Sequence, residues 1–254
     1  MLYHNTRIAI LAHPRSLSTA LEFSFNNRQD TTIIHAPYRS VEVRFNRRTT
    51  SFAEIRGYRS RFMEIKLMLE DANLGKDIVV WKETSCLYKE LYPMGYTPIF
   101  LVRDPRYSIP SYRKMVLDVS GGVSDEVPYC GGLKELHNIF NYLTKTNCHD
   151  PVVIDAHDLS RYPEKILPTV CEKVGIEFNV SMLHWKQNNT DHWDPVWNGA
   201  LKIAYSNVKQ SQGFIPREEH NVDLSVLPDS LRASIEAAIP IYDSLYEMCI
   251  KPNE

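Results

Sequence analysis

The stretch RIAILAHPRSLSTALEFSF, residues 7–25, constrains the fold more than any other part of the chain. Arg7–Ala12 reads as a buried strand, because a short apolar run closed by a proline-containing turn suits a strand covered on both faces. Leu17, Ala20, Leu21 and Phe25 then recur at helical spacing, which predicts a helix from residue 17 to about residue 28. The same alternation continues downstream. Residues 31–35, 77–81, 97–102 and 151–156 are β-type runs. Residues 51–72, 107–117, 133–143, 163–174 and 229–248 carry helical periodicity. The fourth of these opens on Pro163, where a missing N–H costs nothing. Strands alternating with helices predict an α/β fold: a parallel sheet flanked by helices on both faces. No repeat or low-complexity linker divides the chain, so residues 1–254 are expected to form one domain.

Composition narrows the functional classes. A net charge of −2 lends no support to a nucleic-acid or membrane-surface role. No apolar run approaches the roughly 20 residues that cross a bilayer. The N-terminus lacks a basic region followed by a long apolar stretch, so no signal peptide is expected. Cys86, Cys130, Cys148, Cys171 and Cys249 are odd in number and have no metal-ligand spacing. A reduced, cytoplasmic enzyme is the expectation.

Ligands of parallel sheets bind beyond the carboxyl ends of the strands. The residues after Ala12, Trp81 and Val102 are therefore the ones to read. After Ala12 comes His13-Pro14-Arg15-Ser16-Leu17-Ser18-Thr19, without glycine and without the Gly-Lys-Ser/Thr of an ATP loop. A helix start there offers free N–H groups and a partial positive charge to a phosphate or sulfate. Arg15 adds a forked cation, and Ser16, Ser18 and Thr19 add hydroxyls. The plainer alternative is that the serines cap the helix. After Val102 comes Arg103-Asp104-Pro105, with Ser111 eight residues beyond Arg103, two helical turns on. The plainer alternative there is an Arg–Asp pair in a loop.

Together, Pro-Arg-Ser-x-Ser-Thr after one strand and Arg-Asp-Pro with a later Ser after another resemble the sulfotransferases that use 3′-phosphoadenosine 5′-phosphosulfate (PAPS). VVIDAHDLSRYPEKILPTVCEKVGIEF and QSQGF resemble further stretches of that family. The likeness spans about residues 6–215 and is nearest to a branch with Pro-Arg-Ser-Leu-Ser-Thr-Ala followed by His-Glu-Pro, some members of which carry aminotransferase-like names. It implies a nucleotide-kinase-like, P-loop-type parallel sheet and a sulfotransferase that needs no metal. It also implies that Pro14, Arg15, Ser16, Leu17, Ser18 and Thr19 cradle the 5′-phosphosulfate, and that Arg103 and Ser111 hold the 3′-phosphate. The product would be 3′,5′-adenosine diphosphate. Lys209, Gly213 and Phe214 are candidates for closing over the cofactor, although the family's usual Arg-Lys-Gly stretch is not seen.

Two departures bear on the chemistry. The glutamate of His-Glu-Pro is replaced, for this chain reads His35-Ala36-Pro37, and the family's histidine shortly after the lysine is missing from Trp81-Lys82-Glu83-Thr84. Lys82 is a candidate cation for the leaving group. His35 is the first choice of base, since imidazole titrates near neutrality. Glu83, Asp118, His137 and Asp191 are the alternatives, and loss of catalysis is another. Arg39, Arg44, Arg47, Arg48, Arg56, Arg59 and Arg61 read mostly as a solvated face paired with Glu42, Glu54 and Glu64. Trp185, Trp193 and Trp197 either stack on adenine, wall the acceptor pocket or pack under a loop. Asp191 and Asp194 beside them suit a small cationic acceptor. His184 and His192 lack partners for a zinc site. Residues 121–132 read as a glycine-flanked lid or a plain surface loop. The rival functions are an ATP-dependent phosphotransferase and a non-catalytic nucleotide-binding relic.

Overall fold

The computed structural model describes residues 5–45, 52–71, 74–84, 89–122, 129–146, 151–198, 204–216, 218–219 and 222–252. Its centre is a parallel sheet whose described strands run β2 (Thr31–His35), β3 (Ile78–Thr84), β1 (Thr6–Ala12), β4 (Thr97–Val102) and β5 (Val152–Asp155) across the molecule. Ile10 of β1 stands between Lys82 of β3 and Ile99 of β4, which fixes the register on both sides.

Alternation along each strand sends successive side chains to opposite faces. On one face, Ile8, Ile10, Val80 and Ile99 pack against Leu21 and Phe25 of α1 (Ser18–Asn26), together with Leu159 of α6 (Ala156–Arg161) and Ile166 and Val170 of α7 (Pro163–Lys173). On the other, Leu11, Trp81 and Phe100 meet Phe62 of α3 (Phe52–Leu69), Ile109 of α4 (Pro105–Ser120), Phe140 of α5 (Leu133–Thr146) and Ile235 of α9 (Asp229–Tyr246). Each such buried side chain contributes about 1.5–3 kcal/mol. Among the described residues no helix is long and apolar enough to cross a membrane.

Several boundaries differ from the sequence reading. Strand β3 continues past Trp81 to Thr84, pairing Lys82, Glu83 and Thr84 with Ile10, Leu11 and Ala12. Helix α4 starts at Pro105, two residues before the expected Tyr107, because the Asp104 carboxylate caps it by accepting from the Arg106 N–H at 2.8 Å. Pro110 therefore lies inside the helix. Helix α2 (Pro37–Phe45) escaped the sequence reading, as did α6. Of the expected lid, residues 123–128 lie outside the described residues. Its far end is anchored in the core: the Cys130 N–H donates to Ser234 Oγ at 2.8 Å. A Cβ on Gly131, whose φ is +58°, would lie 2.6 Å from Ile109.

Candidate functional site

The order of strands changes direction at β1 and β4, so their carboxyl ends border the crevice where such sheets bind ligands. The loop after β1 wraps without glycine because Arg15 (φ 67°) and Leu17 (φ 66°) take the left-handed conformation. That costs an L-residue on the order of 1–2 kcal/mol each. Ser16 Oγ donates to the His13 carbonyl at 2.7 Å, and His13 Nε2 accepts the Arg103 N–H at 2.9 Å, tying the two strand-end loops together. Burial and the Arg103 charge hold the His13 imidazole down at about 3, so it stays a neutral acceptor. Helix α1 has no side-chain cap. Its serines therefore do not serve as caps, which leaves the first-turn amides without side-chain acceptors, with Ser18 and Thr19 buried beside them.

The two separated motifs meet here. Arg15 Nε donates to Ser111 Oγ at 3.2 Å, and Arg103 Nη1 donates to the Arg15 carbonyl at 3.2 Å. Arg15 also donates to the Ala204 carbonyl at 3.1 Å. The carboxylate of the Arg-Asp-Pro turn pairs with Arg106 and not with Arg103. Arg103 instead meets Glu219, at 3.3 Å, whose second oxygen lies 3.5 Å from His157 Nδ1.

Because Lys82 and Glu83 belong to the strand, they point to opposite faces. Glu83 goes to the α2 side. Its carboxylate accepts the N–H groups of Tyr38 (3.0 Å), Arg39 (3.4 Å) and Thr84 (3.1 Å), capping α2. Burial pushes Glu83 up to about 7 against the pull of those amides and Lys82. Glu83 is thus a helix cap with both oxygens engaged, which removes it from the face carrying Lys82. Lys82 goes to the α1 side, fully buried. Burial lowers its pKa, while Glu22 and Glu83 oppose the shift.

His35 ends β2 directly across from Lys82. Its Nδ1 lies 2.7 Å from Glu22 Oε2, a carboxylate rising from α1. The other Glu22 oxygen receives His192 Nε2 at 2.6 Å and the Trp193 indole N–H at 2.8 Å. The imidazole stacks on Trp193 at 4.3 Å and meets the edge of Trp197 at 5.1 Å. Its Nε2 is buried and has no hydrogen-bond partner among the described residues. Burial holds His35 down at about 4, against the pull of Glu22. For Glu22, burial pushes upward, but His35 and His192 outweigh it and keep the carboxylate ionised.

Glu22 was not singled out from the sequence, and His192 was weighed there only as a zinc ligand with His184. A signal existed for Glu22: residues 18–25 of α1 are buried throughout, and a carboxylate inside such a helix must find partners. Nothing local marks His192.

The remaining candidates fall elsewhere. Trp185, Trp193 and Trp197 are buried, with indole N–H groups spent on Ser211, Glu22 and Ser40. They are packing residues here. Lys209 Nζ lies over the Trp193 ring at 5.1 Å. Gly213 bridges His184, and Phe214 meets Trp185 edge-on at 5.1 Å, so both belong to the packing of this segment against α1. Asp118 and Asp191 are exposed, and His137 is on α5, bonded to Asn141. None of these joins Lys82. Arg39 and Arg61 pair with Glu42 and Glu64. Arg47 and Arg48 lie outside the described residues. Among the described residues no His/Cys/Asp/Glu group is placed to hold a metal ion. A cavity of about 830 Å³ opens beside the cluster, lined by Ile33, Pro37, Val41, Met68, His35 and Trp193 among others.

Comparison with known proteins accords with this geometry. The fold superposes on the sulfotransferase domain from the curacin biosynthetic pathway with a TM-score of 0.52, at 18% identity, covering 99% of this chain and 100% of that one. The fold is that of the sulfotransferases. Residues 142–248 match the sulfotransferase domain family, a stretch that holds β5 and the helices behind it but not the β1 loop. The aminotransferase-like names expected from the sequence also occur. Branched-chain-amino-acid aminotransferase-like proteins 1 and 2 of Arabidopsis thaliana are 28% and 26% identical, each over 91% of this chain. The chain spans 40% of the length of those curated relatives.

Proposed function

We propose that this chain is a sulfotransferase that moves a sulfuryl group from PAPS to a hydroxyl or an amine-type nitrogen of a small molecule. The observation that carries this reading is a buried lysine set across from a buried, unpartnered imidazole nitrogen on one face of the sheet. Lys82 carries a buried ammonium, and across from it His35 Nε2 offers a lone pair with no donor among the described residues. Leaving the His35 nitrogen unpaired costs about 1–3 kcal/mol. An anionic leaving group meets the ammonium, and an acceptor O–H or N–H satisfies the nitrogen.

PAPS supplies the sulfuryl group, whose bond to a phosphate oxygen breaks as its bond to the acceptor forms. The chain's residues supply position and charge, which dominate in the analogous phosphoryl transfers. The amides of residues 16–19 and Arg15 hold the phosphosulfate. Arg103, with Ser111 beside it, holds the 3′-phosphate. Glu219 already places an oxyanion against Arg103, so this pocket accepts negative charge. Lys82 meets the charge that grows on the departing oxygen, and His35 Nε2 takes the acceptor's proton. Neither Glu83, spent on α2, nor Ala36 supplies a base.

Calorimetric titration tests this reading first. Tight binding of 3′,5′-adenosine diphosphate with weak binding of AMP and ATP is expected; preference for ATP would sink it. Transfer from PAPS to a panel of 4-methylphenol, octanol and octylamine should persist in EDTA. Tight binding without turnover on any acceptor would favour a non-catalytic relic.

A further inference from the structure

The sequence departs from its nearest resemblance at Ala36, where the likeness calls for a glutamate next to His35. The structure brings a carboxylate to His35 from a different element. Glu22 rises from α1, the helix whose N-terminus forms the loop, and reaches the Nδ1 side of the ring at 2.7 Å. Both of its oxygens are committed, one to His35 and the other to His192 and Trp193. A carboxylate at neutral pH only accepts, so the proton of this contact sits on His35 Nδ1. The lone pair is then on Nε2, the atom without a partner. Trp193 stacked at 4.3 Å and Trp197 edge-on at 5.1 Å hold the ring plane, and the Glu22 contact selects which edge faces the carboxylate.

We propose that Glu22 is a positioning residue for sulfuryl transfer: it fixes His35 as the Nδ1–H tautomer, so that Nε2 receives the acceptor's proton, and it stabilises the imidazolium then formed. This inference rests on the sulfotransferase reading above. It gives the buried carboxylate the role that an aspartate plays toward the histidine of a hydrolase triad, where the orienting group never takes the proton itself. A purely structural ion pair is the competing account. It predicts loss of stability on substitution, but no selective effect on turnover and no dependence on tautomer.

The groups facing His35 are Glu22 from α1, Lys82 from β3, His192 and Trp193 from the segment after α7, and Tyr205, whose ring centre is 6.1 Å away. Of these, Glu22 alone pulls His35 toward the protonated state. Its removal should therefore move the acid limb of the turnover profile to lower pH while the plateau falls.

The test has two readings. In ¹⁵N-labelled wild-type protein, long-range ¹H–¹⁵N spectra at pH 7 should show His35 protonated at Nδ1 alone; an Nε2–H tautomer would overturn the proposal, with no variant needed. In steady-state transfer from PAPS to whichever panel acceptor the wild type uses, Glu22→Gln should lower kcat about 10³-fold, with KM for the donor little changed. Glu22→Asp should restore part of the loss. A Glu22→Gln protein that keeps wild-type kcat and its pH profile overturns the dyad and leaves the sulfotransferase reading intact. A wild type that turns over no acceptor overturns both.

Discussion

The loop after β1 and the cluster above Lys82 are neighbours built in opposite ways. The loop is made of backbone and of side chains already paired within the chain: Arg15 with Ser111 and Ala204, Arg103 with His13, Arg15 and Glu219. The cluster gathers Glu22, His35, Lys82, His192 and Trp193 from four segments and leaves the buried His35 Nε2 without a partner among the described residues. A satisfied cradle must exchange internal partners for a ligand, and so its residues trade stability against affinity. The His35 nitrogen that would meet the acceptor has no such partner to lose among the described residues. Substitutions there should change rate far more than binding.

The largest effect that would sharpen this contrast is at Lys82. Lys82→Met should lower turnover about 10²–10³-fold, the scale of removing one charge-stabilising donor. Glu22 keeps three donors, and a buried ammonium is gone, so thermal stability should hold or rise. A large fall in the melting temperature with turnover preserved would break the distinction.

At Arg103 the order reverses. Arg103→Ala should weaken binding of 3′,5′-adenosine diphosphate about 10–10²-fold by calorimetry, as expected for hydrogen bonds to a charged group, and leave AMP affinity nearly unchanged. Equal losses for both nucleotides would remove the 3′-phosphate from this pocket. Glu219→Gln should act the other way and more weakly. Without the competing carboxylate, affinity for 3′,5′-adenosine diphosphate should rise about 3–10-fold, most at low ionic strength. Weaker binding would show that Glu219 helps to build the pocket and does not compete for it.

The same contrast explains what the sequence disclosed. The strands and long helices were legible because apolar periodicity is local, and the cradle was legible because its motifs sit at strand ends. Helix α2 was not, because its start depends on Glu83, some 45 residues away. Glu83 was misread for a related reason: β3 ends at Thr84 and not Trp81, and in a strand one position decides which face a side chain joins. The His35 cluster was half legible. His35 and Lys82 stand beside recognisable strands, but Glu22 reads as one polar residue in an apolar helix, and His192 meets it across 170 residues. Contacts of that separation leave no pattern in a single chain.

The smallest predicted effect separates the two carboxylate environments flanking β3 by the sign of their pH dependence. His35 is held at about 4 in the folded chain against an ordinary value of 6.5. The unfolded chain therefore binds the extra proton between those values. The stabilisation from neutral His35 is complete above pH 6.5 and is lost as pH falls toward 4. Glu83 is pushed to about 7 from an ordinary 4.5, so the folded chain binds the extra proton. Its contribution is complete below pH 4.5 and is lost as pH rises through 7. The two slopes oppose each other between pH 4.5 and 6.5 and partly cancel in the wild type. Each is bounded by about 1.4 kcal/mol per pH unit for one proton. Denaturant titrations at several pH values should therefore show Glu83→Gln gaining stability more steeply with pH than the wild type, and His35→Asn less steeply. Slopes that shift in the same direction would mean that one of these groups has been assigned the wrong charge state in the folded protein.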